Sequence, residues 1–478
     1  MPLKSFLMSP AALTEARRVA EFGFTASEFD RARKDALSML EKQYTNRDKI
    51  NNDVFGRACA SNYLEKEPLL SIEQTYQIMQ QLTPMLPVDV VNEAMKQLIS
   101  LSDSNVVIYN TTTEKEGMVY STEASLKKAY DDARAEKIEA YVDNVKQEPL
   151  IAEQPKAGKI VSEKENAKFG YKELTLSNGA RVLLKKTNLK EGEVLFNGSS
   201  KGGKSLYDAK ERVNLDLFNA VISYSGLGNF SSTELQKVLA GKNANVNLSL
   251  ANLHEYVSGS CTPKDMETMF QMNYLYFTNI KKDEQAFNSL INQYRAALKN
   301  KSLSAESALQ DSVTYTLHAH DARQISLEEK DLDNANYDRI LQIAKERTAN
   351  AKAWTFIIDG NFDEATIRPL ICQYIASLPV KGKIVKGKRE LFPVKGQVEN
   401  IFKRKQETPK STAYIIWNNE TMPYSQKNAI CADIAGQVLS MEYLDKIREK
   451  ESAAYTVGAQ GIGGLSDDNY HIFQLLAY

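Results

Sequence analysis

The sequence predicts an α+β fold of repeated two-layer domains, each an antiparallel sheet covered by helices. Asn178-Gly179 lies between two short β-type runs, which is typical of an antiparallel hairpin. Helical runs cluster apart from the strands instead of alternating with them, which disfavours a doubly wound parallel sheet. A helix followed by a strand near residues 87–109 recurs near residues 337–358, roughly 250 residues later, which indicates a repeated domain plan.

The composition is that of a globular protein without charge bias. The 478 residues are 42% hydrophobic and 25% charged, and the net charge is −1. Nothing in this balance points to nucleic acid or an anionic membrane as a partner. No apolar run approaches the ~18 residues of a membrane helix. The four cysteines lie far apart, which excludes a disulfide framework and a zinc-ribbon spacing.

The first hundred residues predict consecutive helices. Thr25 and Glu28 form a capping box at the start of one helix, and Pro87 opens another. A short strand is expected at Val106–Tyr109. The pattern then weakens and becomes polar and charged, with several Pro and Gly residues, so residues 146–170 are predicted to link two domains.

The remaining elements follow from β-type runs and helix-start signals. Strands are predicted near 172–176, 181–185, 193–196, 244–250 and 354–358, with helices around 208–222, 231–240 and after Thr262. The last part predicts a strand at 412–417, a helix at 425–439, and strands at 455–460 and 470–478. Because the chain begins without the sheet its first helices need and ends inside a strand, we expect a fragment truncated at both ends.

Gly198–Ser205 matches the P-loop pattern G-x-x-x-x-G-K-S letter by letter. A P-loop binds phosphates through its backbone N–H groups, and its preceding strand belongs to a buried parallel sheet. Here the preceding element is an Asn-Gly hairpin, which points to an antiparallel sheet. Nucleotide binding at this segment is therefore the less favoured hypothesis, and a Gly/Ser/Lys loop the favoured one.

The histidines do not form a metal-binding pattern. His318-Ala-His320-Asp321 follows a helical run, where residues two apart point in different directions, so we interpret both histidines as surface or capping residues. The sequence contains neither H-E-x-x-H nor H-x-x-E-H. No metal site is predicted in this chain.

Five segments together resemble the pitrilysin/insulinase family of zinc metallopeptidases, and they occur in the family's order. They are Glu21–Arg33, Leu174–Val182, Gly226–Leu235, Pro409–Trp417 and, as the most specific, Leu444–Val457. The resemblance implies four similar α+β domains in a complete polypeptide, whose two halves close like a clamshell around a peptide. It also implies zinc on an H-x-x-E-H helix of the first domain, which this chain lacks.

The resemblance assigns parts of the chain to these domains. Residues 1–145 correspond to the C-terminal part of the second domain, 146–170 to the linker, 171–390 to an inactive third domain and 391–478 to the N-terminal part of the fourth. Counting back without gaps from Asn229-Phe230, the third domain has Leu217, Ala220 and Val221 at the metal-motif positions. None of these three can bind zinc or act as a base, so the chain alone is predicted to be inactive.

The same resemblance implies a substrate-binding role for Arg448 and Tyr455, whose spacing matches an arginine–tyrosine pair in the family's fourth domain. In the family this pair reaches the substrate backbone near the scissile bond. A guanidinium and a phenol are hydrogen-bond donors suited to a carbonyl oxygen that gains negative charge. No catalytic residue is expected in this chain.

The favoured interpretation is the non-catalytic, substrate-enclosing C-terminal portion of a zinc metalloendopeptidase that hydrolyses peptides. The partners implied are a peptide or unfolded polypeptide, expected to lie partly as a strand added to a sheet edge, and an N-terminal catalytic half that carries the zinc. One alternative is a catalytically silent peptide-binding or assembly subunit; the other is nucleotide binding at Gly198–Ser205. An exported, periplasmic location is favoured by the resemblance alone, since no signal peptide is present in the sequence.

Overall fold

The computed structural model describes residues 8–99, 106–111, 120–301, 304–389, 391–404, 409–465 and 471–478. Contacts divide the chain into two compact units. The first comprises Met1–Leu206, Leu217–Leu290 and Asn336–Gly387, and the second comprises Tyr207–Asp216, Ile291–Ala335 and Lys388–Tyr478. Among the described helices, none combines the length and apolar character that crossing a membrane requires.

Helices fill the first part of the chain, and local capping explains where several begin. Thr25 and Glu28 form the predicted capping box, and Pro87 precedes another helix as predicted. The strand predicted at Val106–Tyr109 is wrong: residues 106–111 form no strand, because this apolar run finds no neighbouring strand within the described residues. The helices are α1 Met8–Phe22, α2 Ala26–Thr45, α3 Asn52–Glu65, α4 Ile72–Leu82, α5 Val88–Leu98 and α6 Glu123–Ala135.

The middle of the chain mixes strands and helices. In order they are β1 Ile160–Asn166, β2 Tyr171–Leu176, β3 Arg181–Lys186, β4 Val194–Lys201, α7 Arg212–Tyr224, β5 Gly226–Leu227, α8 Ser232–Val238, β6 Ala244–Leu250 and β7 His254–Cys261. They continue with α9 Met266–Thr278, β8 Ile280–Lys281, α10 Glu284–Lys301, α11 Ala305–Leu317, α12 Tyr337–Thr348, β9 Thr355–Gly360 and α13 Glu364–Leu370. The chain ends with β10 Ile415–Asn419, α14 Gln426–Tyr443, β11 Ala459–Leu465 and β12 His471–Ala477.

The first unit is built on a seven-stranded sheet with the order β1-β2-β3-β9-β4-β7-β6. Every neighbouring pair is antiparallel except β3 and β9, which are parallel. This topology confirms the predicted α+β class. The two edges of the sheet are therefore β1 and β6.

The Asn178-Gly179 turn joins β2 to β3 as predicted. Gly179 has φ +82°, a left-handed conformation that glycine adopts without a steric penalty. The Asn178 side chain donates to the carbonyl oxygens of Ile375 and Leu378, so the turn is also held by tertiary contacts.

Residues 146–170 contain a strand that was not predicted. β1 pairs with β2 from Ser162 to Asn166 and shows a register shift between Ile160 and Ser162. Five of its seven residues are polar and all seven are half-buried or exposed, so the alternation of a half-buried strand is missing from its sequence. The division of the chain into second, third and fourth domains stays a prediction.

Helix α9 packs on one face of this sheet and forms the core with the sheet's buried side chains. Phe277 meets Trp354 edge-on, with ring centroids 4.9 Å apart. Phe196 lies between Phe270 and Phe356, with centroids at 6.0 and 5.7 Å. These rings form an aromatic cluster within the buried core of the unit.

The second unit contains a three-stranded antiparallel sheet with the order β10-β12-β11. Helix α14 lies directly against β11. A Cβ atom on Gly461 would stand 1.6 Å from the carbonyl oxygen of Ala432, so the close approach of helix and strand requires glycine there. The strand predicted at 455–460 begins later than expected, at Ala459, and leaves Tyr455 in the preceding loop.

Candidate functional site

The turn after α14 carries Arg448. The helix continues beyond Tyr443 as a wider π-type turn over Leu444–Lys450, which ends when the Glu451 N–H donates to the Lys446 carbonyl. Ser452 then adopts φ +49°, and the Ala453 N–H donates to the Ile447 carbonyl at 3.0 Å. The chain thereby folds back over the end of its own helix, toward Tyr455.

The structure brings Arg448 and Tyr455 together. The guanidinium carbon of Arg448 lies 5.0 Å from the centre of the Tyr455 ring, within the range of a cation–π contact. The Arg448 Nε also lies 3.4 Å from a carboxylate oxygen of the neighbouring Glu449. The turn and loop between Arg448 and Tyr455 thus bring the two side chains into contact.

Both side chains are accessible to an external acceptor. Tyr455 is 84% exposed, and the Arg448 side chain is 42% exposed. A guanidinium carries five N–H donors in a fixed plane and a phenol carries one O–H donor. This arrangement can hydrogen-bond a carbonyl oxygen or carboxylate from two directions.

Hydrogen bonds fix the start of β11, which follows Tyr455 in the chain. The Ala459 N–H donates to the Ser440 hydroxyl, and that hydroxyl donates to the Ala459 carbonyl. Gly458 and Tyr478 exchange two backbone hydrogen bonds at 2.9 and 3.0 Å. The start of β11 is therefore fixed to α14 on one side and to the residue after β12 on the other.

The P-loop hypothesis for Gly198–Ser205 is wrong. Residues 198–201 belong to β4, which pairs antiparallel with both β7 and β9. The N–H groups of Gly202, Lys204 and Ser205 donate to backbone carbonyls, and the Gly203 N–H donates to the Glu255 carboxylate at 2.8 Å. The donors that would hold a phosphate are therefore already paired, and the Glu255 side chain occupies that side of the turn.

Glu255 is a residue that sequence reasoning missed. Its side chain is only 2% exposed, and this burial raises its pKa, opposed by the Gly203 N–H and the charge of Arg347. A pocket of about 220 Å³ opens beside it, smaller than the roughly 300–1,000 Å³ of typical ligand sites. We therefore interpret Glu255 as a structural residue that stabilises the turn at residues 202–205.

The residues at the implied zinc-motif positions do not fit a metal. Leu217 and Val221 are buried apolar side chains of α7, and Ala220 carries no ligand atom. Within the residues that the structure describes, no group of three His, Cys, Asp or Glu side chains is arranged to hold an ion. His318 ends α11 with its Nδ1 atom 2.9 Å from the Thr314 carbonyl, which agrees with a capping role.

The comparisons identify what the chain is similar to. Residues 334–477 match the family model described as the peptidase M16 inactive domain. The probable zinc protease PqqL of Escherichia coli (strain K12) is 23% identical over 452 residues, which cover 94% of this chain and 48% of that protein. The chain thus spans about half the length of this curated relative.

Two solved structures share the fold. The periplasmic protease PqqL from Escherichia coli superposes with a TM-score of 0.61 at 21% identity, over 98% of this chain and 51% of that chain. The ferredoxin protease FusC, solved as a mutant in complex with Arabidopsis ferredoxin, gives 0.59 at 13% identity, over 100% of this chain and 52% of that chain.

Residues 334–477 thus carry an α+β domain of the kind described as the peptidase M16 inactive domain. Over nearly its whole length the chain is similar to zinc proteases of the pitrilysin/insulinase family, peptidase family M16. The resemblance stated from the five sequence segments is thereby confirmed.

Proposed function

We propose that this chain is the substrate-enclosing portion of a zinc metalloendopeptidase, and that Arg448 and Tyr455 contact the peptide backbone near the scissile bond. The observation that carries the proposal is the pairing of these two exposed donors, with the Arg448 guanidinium carbon 5.0 Å from the Tyr455 ring centre. Donors held in place before the reaction stabilise a carbonyl oxygen as it gains negative charge. No group of side chains among the described residues is arranged to hold an ion, and we place the zinc on the catalytic half, as the resemblance implies.

The partners follow from the same proposal. The substrate is a peptide or an unfolded polypeptide, and the catalytic half is the second partner. The FusC relative was solved with a protein, ferredoxin, bound to it, which supports a polypeptide as the ligand class. The PqqL structure is described as that of a periplasmic protease, and we propose an exported location for the protein that contains this chain.

The experiment is to replace the donors in the complete enzyme and measure peptide cleavage. Arg448→Ala and Tyr455→Phe should each lower kcat/KM by about 10²-fold, the usual loss for one transition-state donor. Both side chains are exposed, so the thermal unfolding midpoint should stay within a degree or so of the parent enzyme.

A matched control is available on α6. Arg134 lies over the Tyr130 ring at 5.5 Å, as an arginine–tyrosine pair of the same kind. Arg134→Ala and Tyr130→Phe should leave cleavage unchanged. Unchanged kinetics in the Arg448 and Tyr455 variants would remove both residues from the proposed site.

The alternative of a silent peptide-binding or assembly subunit gives a different outcome. Under the favoured proposal, the complete enzyme cleaves a peptide, whereas the purified 478-residue chain binds no stoichiometric zinc and cleaves nothing. Peptide binding without cleavage by the complete polypeptide would favour the silent subunit.

A further inference from the structure

The pocket of about 220 Å³ beside Glu255 lies in the first unit, between the end of α12, the end of β4 and the residues after 380. Its volume is below that of typical small-molecule sites, but it is enough for one carboxylate and the short carbon chain that bears it. Charged side chains of both signs line it: Glu255, Glu346, Arg347, Lys381 and Lys383. The balance of these charges determines which kind of ligand the pocket favours.

Arginines balance both acidic residues of the pocket. The Glu346 carboxylate lies 3.0 Å from Nη1 of Arg339. The Glu255 carboxylate and the Arg347 guanidinium both lie beside Gly202, where a Cβ atom would stand 2.7 Å from Glu255 Oε2 and 2.9 Å from Arg347 Nη1. The negative charge of the lining is thus matched without the two lysines.

The two lysines belong to an exposed basic segment, residues 381–387, here called the lysine strap. Its sequence, Lys-Gly-Lys-Ile-Val-Lys-Gly, contains three lysines and no acidic residue, and residues 381–386 are exposed. Within the described part of the chain, Lys381, Lys383 and Lys386 form no ion pair with a carboxylate. The lysine strap therefore presents positive charge that the described part of the chain does not neutralise.

Contacts at both ends fix the path of the lysine strap. The Lys381 N–H donates to the Ala349 carbonyl at 2.8 Å. At the other end, Gly387 packs so closely on the turn at residues 202–205 that a Cβ atom on it would overlap the Gly202 carbonyl oxygen. The lysines are thus carried by a main chain that is already in place, which lowers the ordering cost of binding.

The spacing of the three lysines fits an extended ligand better than a single ion. Lys381 and Lys386 are five residues apart, which corresponds to up to about 17 Å along an extended chain. A free phosphate or carboxylate in the pocket would leave Lys386 unused. A polypeptide with several acidic side chains carries negative charges at comparable distances, so one carboxylate can enter the pocket while others reach the rest of the strap.

We propose that the pocket and the lysine strap bind an acidic stretch of the substrate polypeptide, with one carboxylate beside Lys381 and Lys383 and further carboxylates along the strap. The inference rests on the proposed function, in which the ligand is a polypeptide, and adds a preference for acidic sequence. Complementary charge mainly raises the association rate and discriminates against basic partners. The lysine strap is therefore a specificity surface and takes no part in the chemical step.

The test is the affinity of the 478-residue chain for a fluorescent peptide of alternating glutamate and serine. Lys381→Glu and Lys383→Glu should each weaken binding about fivefold or more, because each replaces an attraction by a repulsion. Lys383→Arg keeps the charge and should bind as the parent chain does. Unchanged affinity in both glutamate variants overturns the proposal.

The matched control is Lys186→Glu, which makes the same charge change on another exposed lysine. Lys186 pairs with Gly360 of β9, which pairs with Val194 at the start of β4. The pocket lies at the other end of β4, at Ser200, about 20 Å away along the strand. This separation exceeds the screening length of about 8 Å in physiological salt, so the affinity should not change. An equal loss in the control and strap variants overturns the proposal.

A second measurement needs no variant and stands even if a substitution disturbs folding. A peptide in which glutamine replaces every glutamate keeps the length but loses the charge, and it should bind at least about tenfold more weakly. Equal affinity of the two peptides overturns the proposal. Inorganic phosphate that binds as tightly as the acidic peptide, together with a silent Lys386→Glu, would identify a free oxyanion as the occupant and overturn the polypeptide assignment.

In the complete enzyme, these outcomes are separable from those of the proposed function. The glutamate variants at Lys381 and Lys383 should raise KM for an acidic substrate and leave kcat, and cleavage of its glutamine counterpart, unchanged. Arg448→Ala and Tyr455→Phe should lower kcat/KM for both substrates. A missing lysine effect with intact effects of Arg448 and Tyr455 refutes the strap alone, and the reverse result refutes only the role of Arg448 and Tyr455.

Discussion

The two edges of the seven-stranded sheet differ in almost every property that controls strand pairing. β1 is charged, has no buried side chain and shifts its register between Ile160 and Ser162. β6 is uncharged, anchors Val246 and Leu248 in the core and keeps one register throughout. Charges and bulges are common means of preventing an edge from pairing with other chains. The sheet thus has one charged and irregular edge, β1, and one neutral and regular edge, β6, whose inward residues are almost wholly buried.

The ion pairs that hold the two edge strands in place also differ, in how deeply they are buried. α8 leads directly into β6, and its Lys237 binds Asp143, which also binds Arg31 of α2. The Asp143 side chain is 2% exposed. On the β1 side, Glu163 binds Arg368 of α13, and the Glu163 side chain is 38% exposed. The support beside β6 is therefore a buried charge cluster, whereas β1 is supported by a solvated ion pair.

The largest effect is expected from Asp143→Asn, which leaves Arg31 and Lys237 partly buried without their carboxylate. We expect the free energy of unfolding to fall by about 3 kcal/mol, as when one partner of a buried ion pair is removed. Chemical denaturation of the variant and the parent chain measures it. A loss below about 1 kcal/mol would contradict a structural role for this cluster beside β6.

The same cluster predicts how stability depends on pH. Burial favours the neutral form of Asp143, but hydrogen bonds from Arg31, Lys237 and Ser27 outweigh it and hold the Asp143 pKa below its usual 3.8. A lowered pKa gives stability that is present above 3.8 and is lost as pH falls below it. The stability gap between the parent chain and Asp143→Asn should therefore narrow between about pH 5 and pH 3. A constant gap would show that Asp143 keeps its ordinary pKa.

The next effect separates the inner and outer sides of β6. The Thr262 N–H donates to the Asn243 carbonyl and the Ala251 N–H to the His254 carbonyl, so by alternation Asn247 also pairs with β7, at Ser258. Asn247→Pro removes this paired N–H, and we expect a loss of about 2–3 kcal/mol because the Ser258 carbonyl loses its donor and proline interrupts the ladder. Val246→Pro removes only an outward N–H, and we expect about 1 kcal/mol. Thermal and chemical unfolding of the two variants side by side measures the difference. Equal losses would show that the alternation inferred for β6 is wrong.

The smallest effect is expected at β1, the charged edge of the sheet. Glu163→Gln breaks the ion pair with Arg368 while leaving the strand polar and exposed. Exposed ion pairs contribute little, so we expect a loss of about 0.5 kcal/mol. Addition of salt should erase most of that difference. If Glu163→Gln lowered the free energy of unfolding as much as Asp143→Asn, the ion pairs at the two edges would not differ in strength.

The sequence predicts local features of this fold well. The capping boxes at Thr25 and Ser231, the Asn178-Gly179 hairpin and the β6 run are confirmed because each depends on neighbours a few residues away. The sequence predicts a linker where β1 lies, because a strand exposed on both faces shows no alternation of apolar residues. β7 was missed as well: its Glu255 is buried only because the Gly203 N–H and Arg347 lie opposite it, which no local pattern encodes.

For the candidate site as well, the sequence identifies residues but does not give their geometry. Arg448 and Tyr455 were singled out by resemblance, and their 5.0 Å contact depends on the turn after α14, whose Ser452 has φ +49° without being glycine. The P-loop hypothesis failed because an eight-residue sequence pattern does not show whether the preceding strand is parallel or antiparallel to its neighbours. The outer edge of β6 was also beyond sequence reasoning, since only the strand order shows that β6 has one neighbour.

The most direct test of the peptide-enclosing role is peptide cleavage by the complete enzyme, comparing Arg448→Ala and Tyr455→Phe with Arg134→Ala and Tyr130→Phe. The first two variants should each lose about 10²-fold in kcat/KM, because each removes a donor of the exposed pair. The two variants on α6 should match the parent enzyme. Equal kcat/KM in all four variants would contradict the account.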